Sequence, residues 1–259
     1  IRDLSNIISD IDSAFLDRGG LEELDDLDLN TLPKVPGNPR LGMPVTGIPK
    51  LICIGLNYSD HAKESNMPIP TEPVVFMKAI SALNGPNDDV ILPNKSVKGD
   101  WEVELAVVIS KTAKNVKESD ALSHVAGYTI CNDVSEREWQ LEHGSQWSKG
   151  KSFDTFAPVG PWLVTKDEIS DPHNLAMWLD LNGKRMQIGN TSTMIFSVEK
   201  LISYLSCFVT LQPGDVISTG TPPGVGMGVK PDPVFLKVGD EMRLCLLYTS
   251  DAADDTPCV

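Results

Sequence analysis

In the segment DWEVELAVVI, Glu102 and Glu104 lie two residues apart within an otherwise apolar run. The period of a strand is two, so both carboxylates project from the same face. That face continues with Ala106 and Val108, while Trp101, Val103, Leu105, Val107 and Ile109 fill the other, so the strand reads as buried on both sides. Two buried anions repel each other and are costly unless compensated. A hard divalent cation relieves both costs, and Mg²⁺ commonly takes carboxylate oxygens while keeping several waters. Asp133 ends the next apolar run, VAGYTICND, and would complete a three-carboxylate face with open coordination positions. Spacing alone leaves a second reading open, in which Glu102 and Glu104 sit on a solvated edge strand and Asp133 caps the following helix.

His61 and Glu64 lie three apart in NYSDHAKES, on one face of a short helix. A carboxylate that orients an imidazole raises its basicity, and such a pair can activate water. An exposed ion pair is the alternative. His124, His143 and His173 lack metal-ligand spacing and read as surface residues. Lys151, in KGKSFDTFAPVGP, is a candidate for binding a carboxylate or a developing enolate, or else a loop lysine facing water. Thr219, Gly220 and Thr221 open the loop TPPGVGMG, whose glycines let backbone N–H groups approach an anion. The loop lacks the Gly-Lys-Ser/Thr of a phosphate-binding loop, and Gly224, Gly226 and Gly228 do not fit Gly-x-Gly-x-x-Gly.

These groups must be positioned by a strand-rich chain. Strands are expected over Leu51–Gly55, Val74–Lys78, Trp101–Ile109, Val125–Asn132, Trp162–Thr165 and Val216–Thr219. A hairpin over Met177–Met186 should turn at Asn182-Gly183, a pair suited to a type I′ turn. Helices are expected over Asn57–Asn66, capped by Ser59 or Asp60, over about Ser135–His143, and over Ser197–Phe208. Residues 1 to 30 carry nine acidic residues against two arginines, and Thr31 to Pro49 is a Pro/Gly-rich crossing segment.

Composition narrows the function. With 36 acidic and 22 basic residues, the net charge of −14 argues against a nucleic-acid partner and requires a local positive site for any anionic substrate. No apolar run approaches the roughly 18 residues of a membrane span, so no membrane partner is expected. Five scattered cysteines without a Cys-x-x-Cys pair, and an N-terminus without a basic-then-apolar leader, lead us to expect a reduced, cytoplasmic protein.

Seven segments in register, GLNYSDH, EPVVFMK, DWEVELAVVI, GYTICNDVSERE, KGKSFDTFAPVGP, TSTMIFSVEKLISYLS and LQPGDVISTGTPPGVG, resemble the fumarylacetoacetate hydrolase superfamily. The subgroup they are most similar to includes bacterial proteins labelled ureidoglycolate lyase and hydrolases of 2,4-diketo-3-deoxy sugar acids. The resemblance implies a mainly β fold with some α, a mixed β-sheet roll with a small N-terminal region. It divides the chain into a shortened N-terminal region and linker (1–48), a catalytic domain (49–244) and an atypical tail (245–259). By position it implies Glu102, Glu104 and Asp133 as ligands of Mg²⁺ or Mn²⁺, and His61 and Glu64 as a dyad on a lid helix that closes only over substrate. It implies Lys151 as the active-site lysine, and Gln140 and Thr221 as substrate contacts. It also implies a small keto-acid substrate and a homodimer. Leu56 stands where some relatives carry Arg. The tail CLLYTSDAADDTPCV departs from the family pattern, reads as adapter-derived or out-of-frame translation, and is expected to pack poorly.

Overall fold

The computed structural model describes residues 1–247. Two short helices, α1 (Ser13–Asp17) and α2 (Gly20–Asp25), precede the crossing segment that leads into β1 (Leu51–Gly55). Next come α3 (Ser59–Glu64), β2 (Val74–Lys78), β3 (Leu83–Asn84), β4 (Gly99–Asp100) and β5 (Val103–Ile109). They are followed by β6 (Val125–Asn132), β7 (Ser135–Glu136), α4 (Arg137–Leu141), α5 (Ser148–Lys151) and β8 (Ala157–Thr165). The described chain closes with β9 (Ala176–Leu181), β10 (Lys184–Asn190), α6 (Val198–Phe208), β11 (Val216–Ser218) and β12 (Met242–Leu247).

Among the described residues, seven strands form a mixed sheet in the order β2-β1-β11-β5-β6-β8-β3. β1 runs parallel to β11, and β5 runs antiparallel to both β11 and β6. A second, antiparallel sheet, β10-β9-β12, packs Met177, Leu179 and Leu181 into the core. The fold is a mixed-sheet roll with few helices. β5 is buried at every residue, which explains its near-continuous apolar sequence. Gln187 of β10 stitches the two sheets together: its Oε1 accepts the Val103 N–H at 2.9 Å, and its Nε2 donates to Thr221 Oγ1 and the Pro222 carbonyl, each at 2.8 Å.

Some local expectations need correction. Tyr58, not Ser59 or Asp60, occupies the N-cap of α3, without a side-chain bond. The segment expected as a helix from Ser135 first pairs as β7, and its cap is Glu136, which accepts the Trp139 N–H at 3.0 Å. Asp133 is therefore free of capping duty. The hairpin extends further than expected, from Ala176 to Asn190, around Asn182 (φ 52°) and Gly183 (φ 75°). His173 is more than a surface residue, since its Nε2 accepts the Val198 N–H at the start of α6 at 3.1 Å. β12 continues past Leu244, pairing Cys245 with Trp178 and Leu246 with Met177, and both Cys245 and Leu246 are fully buried. Poor packing thus does not begin at Cys245, and the rest of the expected tail lies outside the described residues. Among the described residues, no helix is long and apolar enough to cross a membrane.

Candidate active site

The parity of β5 and its approach brings Glu102 and Glu104 to one side, and the end of β6 adds Asp133. One oxygen from each of the three lies within 4.8 Å of the others, and all three residues are buried. The Asp133 N–H donates to the Glu102 carbonyl at 3.0 Å and the Glu102 N–H donates to Asn132 Oδ1 at 3.2 Å, so these bonds fix the two carboxylate-bearing segments together.

Three cations face this triad. Lys151 Nζ donates to Glu102 Oε2 at 2.9 Å and to Asp133 Oδ2 at 2.8 Å. Lys78 Nζ donates to Asp133 Oδ1 at 2.5 Å and to the Val134 carbonyl at 2.9 Å. Arg137 places Nη2 2.8 Å from Glu102 Oε1. Among the described residues, no cation contacts Glu104: its Oε2 accepts from Ser218 Oγ at 2.5 Å and the Gly220 N–H at 2.9 Å. The electrostatics follow this division. Burial acts to raise Glu102, but Lys151 and Arg137 outweigh it and bring its pKa to about 2. Burial, then Asp133 and Glu102, push Glu104 well above the carboxylate range. Burial works against the charge of Lys151, but Asp133 and Glu102 hold it protonated, above the usual lysine range.

The donor set fits a hard divalent cation. It is all oxygen and buried, and a cation among the three carboxylates would offset the burial and the repulsion from Asp133 and Glu102 that raise Glu104. Cys53 and Cys131 lie nearby, but burial raises the first well above its usual range and the second to about 12. Both thiols stay neutral and offer neither a soft ligand nor a nucleophile.

His61 is buried on α3, with Nδ1 3.1 Å from Glu64 Oε2. Glu64 also accepts the Gly224 N–H, at 3.0 Å to Oε1 and 3.2 Å to Oε2. A carboxylate accepts, so a neutral imidazole in this contact presents its N–H at Nδ1 and its lone pair at Nε2. The helix rests on the body of the fold. Asn57 anchors its base, accepting the Phe196 N–H at 2.8 Å and donating to the Thr219 carbonyl at 2.8 Å.

Gln140 is buried and accepts from Arg137 Nη1 at 2.9 Å. Thr221 Oγ1 donates to the Val103 carbonyl at 2.9 Å and accepts from Gln187. The Thr221 hydroxyl has spent its proton, so it can only accept from a further group. Lys78, Arg137, Asp100 and Gln187 were not singled out from the sequence. Lys78 had a signal, since Val74, Phe76 and Lys78 share one face of β2 and a lysine there must be paired. A cavity of about 800 Å³ lies elsewhere, lined by Val90, Leu92, Ile130, Asn132, Leu236 and Met242 among others, and it contains none of the carboxylates. Ile130 and Asn132 alternate with Cys131 and Asp133, so this cavity opens on the opposite face of β6.

A mixed-sheet roll carrying a buried acidic triad, three facing cations and a His–Glu dyad defines a class of small-molecule enzyme. Residues 50–253 match the family described as fumarylacetoacetate (FAA) hydrolase C-terminal. The chain belongs to this family and is an enzyme of the superfamily. A provisionally named hydrolase of Burkholderia lata is 59% identical over 94% of this chain and 86% of its own length. The fumarylacetoacetate hydrolase of Exiguobacterium antarcticum superposes with a TM-score of 0.85 at 37% identity, covering 95% of this chain and 87% of that one. The 2-hydroxyhepta-2,4-diene-1,7-dioate isomerase of Mycobacterium marinum gives a TM-score of 0.67 at 38% identity, covering 77% and 71%.

Proposed function

We propose that this enzyme hydrolyses a carbon–carbon bond of a 2,4-diketo acid, of the acylpyruvate or diketo-deoxy sugar acid type, and releases pyruvate. The observation that carries this reading is a buried oxygen triad held by a protonated Lys151, in a fold that also carries the buried His61 paired with Glu64. Glu102, Glu104 and Asp133 would hold Mg²⁺ or Mn²⁺, which supplies Lewis-acid polarisation and a positive site for an anionic substrate. His61, oriented by Glu64, takes a proton from water through Nε2, and the resulting hydroxide attacks the 4-keto carbon. The C3–C4 bond then breaks, its electron pair passes to the pyruvate fragment as an enolate, the other fragment leaves as a carboxylic acid, and C3 of the enolate takes up the proton held by His61 to give pyruvate. Lys151 stays an ammonium, so it stabilises the enolate as a hydrogen-bond donor and does not attack the carbonyl. Gln140 and Thr221 are the proposed substrate contacts, Thr221 through its remaining acceptor position.

A second reading makes the chain a ureidoglycolate lyase, or an isomerase or decarboxylase of a 2-oxo dicarboxylate, and the name of the M. marinum neighbour favours the isomerase among these. An isomerase or decarboxylase uses the same enolate chemistry as the hydrolase, and the fold does not choose among these reactions. The test is pyruvate release from a panel of 2,4-diketo acids, with ureidoglycolate and a 2-hydroxydienedioate alongside. Turnover of the latter two without any pyruvate from the diketo acids overturns the hydrolase reading. We also propose a homodimer: exposed Ile91, Val97 and Val238 lie in or beside the 800 Å³ cavity, where a second copy would cover them. A monomer in light scattering removes it.

A further inference from the structure

The strip that supplies the metal carboxylates begins one position earlier in the strand period, at Asp100. Asp100 is completely buried and belongs neither to the triad nor to the dyad. Its carboxylate accepts four donors: the Trp101 N–H at 2.8 Å, the Gly226 N–H at 2.6 Å, the Met227 N–H at 3.0 Å and Arg137 Nε at 2.8 Å. Trp101 adds a second hold on the same loop, its Nε1 donating to the Gly224 carbonyl at 3.1 Å. Only glycine allows this approach at position 226, because a Cβ there would lie 2.0 Å from the Val234 carbonyl oxygen and 2.8 Å from Asp100 Oδ1.

Two lines of contact meet at Asp100. One runs through the glycine loop to the Gly224 N–H, which holds Glu64 and through it His61 Nδ1. The other runs through Arg137 to Glu102. We infer that Asp100 is a positioning residue, fixing the glycine loop, and with it the His61–Glu64 dyad, in the frame of the metal carboxylates. This rests on the reading of His61 as the base. The physical ground is that a carboxylate with four aimed donors has one low-energy placement, and small misplacements of a catalytic group are costly in rate.

The test is Asp100→Asn, which keeps the shape but turns an NH₂ towards two of the four donors. We expect faster hydrogen exchange across residues 224–228 and loss of the single Nδ1–H tautomer of His61, read from its ring ¹⁵N shifts. We expect kcat to fall roughly 10- to 100-fold, with Mg²⁺ affinity, measured by calorimetry on the metal alone, changed by no more than about threefold. Unchanged exchange and tautomer overturn the inference, as does a loss of Mg²⁺ affinity matching the loss of kcat, which would place the effect at Glu102. Trp101→Phe, which deletes the bond to Gly224 together with part of a buried ring and leaves the Asp100 carboxylate in place, must give the same pattern in weaker form, and it decides the matter should Asp100→Asn not fold. If His61→Ala turns over normally while Asp100→Asn still loosens residues 224–228, the assignment of the base fails and the clamp stands.

Discussion

Replacing Lys78 by Met should cost the metal-free protein about 3 kcal/mol of stability. Met is similar in length and apolar, so the volume at this buried position is nearly kept and the loss is chiefly electrostatic. Lys78 Nζ holds Asp133 Oδ1 at 2.5 Å and the Val134 carbonyl at 2.9 Å, and both residues of the pair are buried. Breaking a buried ion pair from one side costs about 3–5 kcal/mol, because the remaining charge stays buried without its partner. Lys151 still holds Asp133 Oδ2 at 2.8 Å, which argues for the lower end of that range. With a urea slope of about 3 kcal/mol/M for a chain of this size, the midpoint should fall by about 1 M. Excess Mg²⁺ should recover part of the loss, since a cation at the triad restores charge beside Asp133 and binding stabilises the folded state by mass action. The assay is urea unfolding in EDTA and in Mg²⁺, with exposed Lys63→Met as the control, expected to change stability by less than about 0.5 kcal/mol. A loss below about 1 kcal/mol in EDTA, or a loss indifferent to Mg²⁺, refutes the view that Lys78 is an obligatory counter-charge.

EDTA should abolish turnover and Mg²⁺ or Mn²⁺ should restore it; full activity in a chelated sample removes the metal assignment. His61→Ala should lower kcat by roughly 100-fold or more while leaving the affinity for Mg²⁺ intact, and normal turnover would mean that another group is the base. In the metal-free protein the two glutamates should act oppositely on stability. Glu102 is lowered to about 2, so its contribution is present above the usual glutamate range and is lost as pH falls through that range towards about 2. Glu104 is raised, so its contribution is present below the usual range and is lost as pH rises through its folded pKa. Urea midpoints measured across pH for Glu102→Gln and Glu104→Gln should therefore diverge in opposite directions from the parent, and parallel profiles contradict the division of charge around the triad.

Strand periodicity made much of the roll legible. Leu51–Gly55, Val74–Lys78 and Val125–Asn132 form over the very residues their apolar runs marked out. Asn182-Gly183 announced its hairpin because both positions need a positive φ that few other residues adopt. Where expectation failed, a tertiary contact had taken over a local preference. Ser135 and Glu136 pair with β4 before the helix begins, and α3 starts on an uncapped Tyr58 whose ring is buried instead.

The site divides along the same physical line. Glu102 and Glu104 are neighbours along one extended run, and His61 and Glu64 along one helix, so parity or helical spacing suffices to place them together. Lys78 reaches Asp133 from 55 residues away and Gln187 reaches Val103 from 84, and no local pattern carries such a pairing. Asp100 is the instructive intermediate. Asp-x-Glu-x-Glu is visible as a strip, and two-residue spacing alone would have suggested a further metal ligand. The structure gives its carboxylate four donors instead. An ionised carboxylate has roughly four lone-pair positions, so none is left for a cation. The alternation of one extended run, from β4 into β5, thus yields two kinds of acid, one that holds the loop and two that stay open to a metal, and the difference lies in the donors that the rest of the fold brings to each.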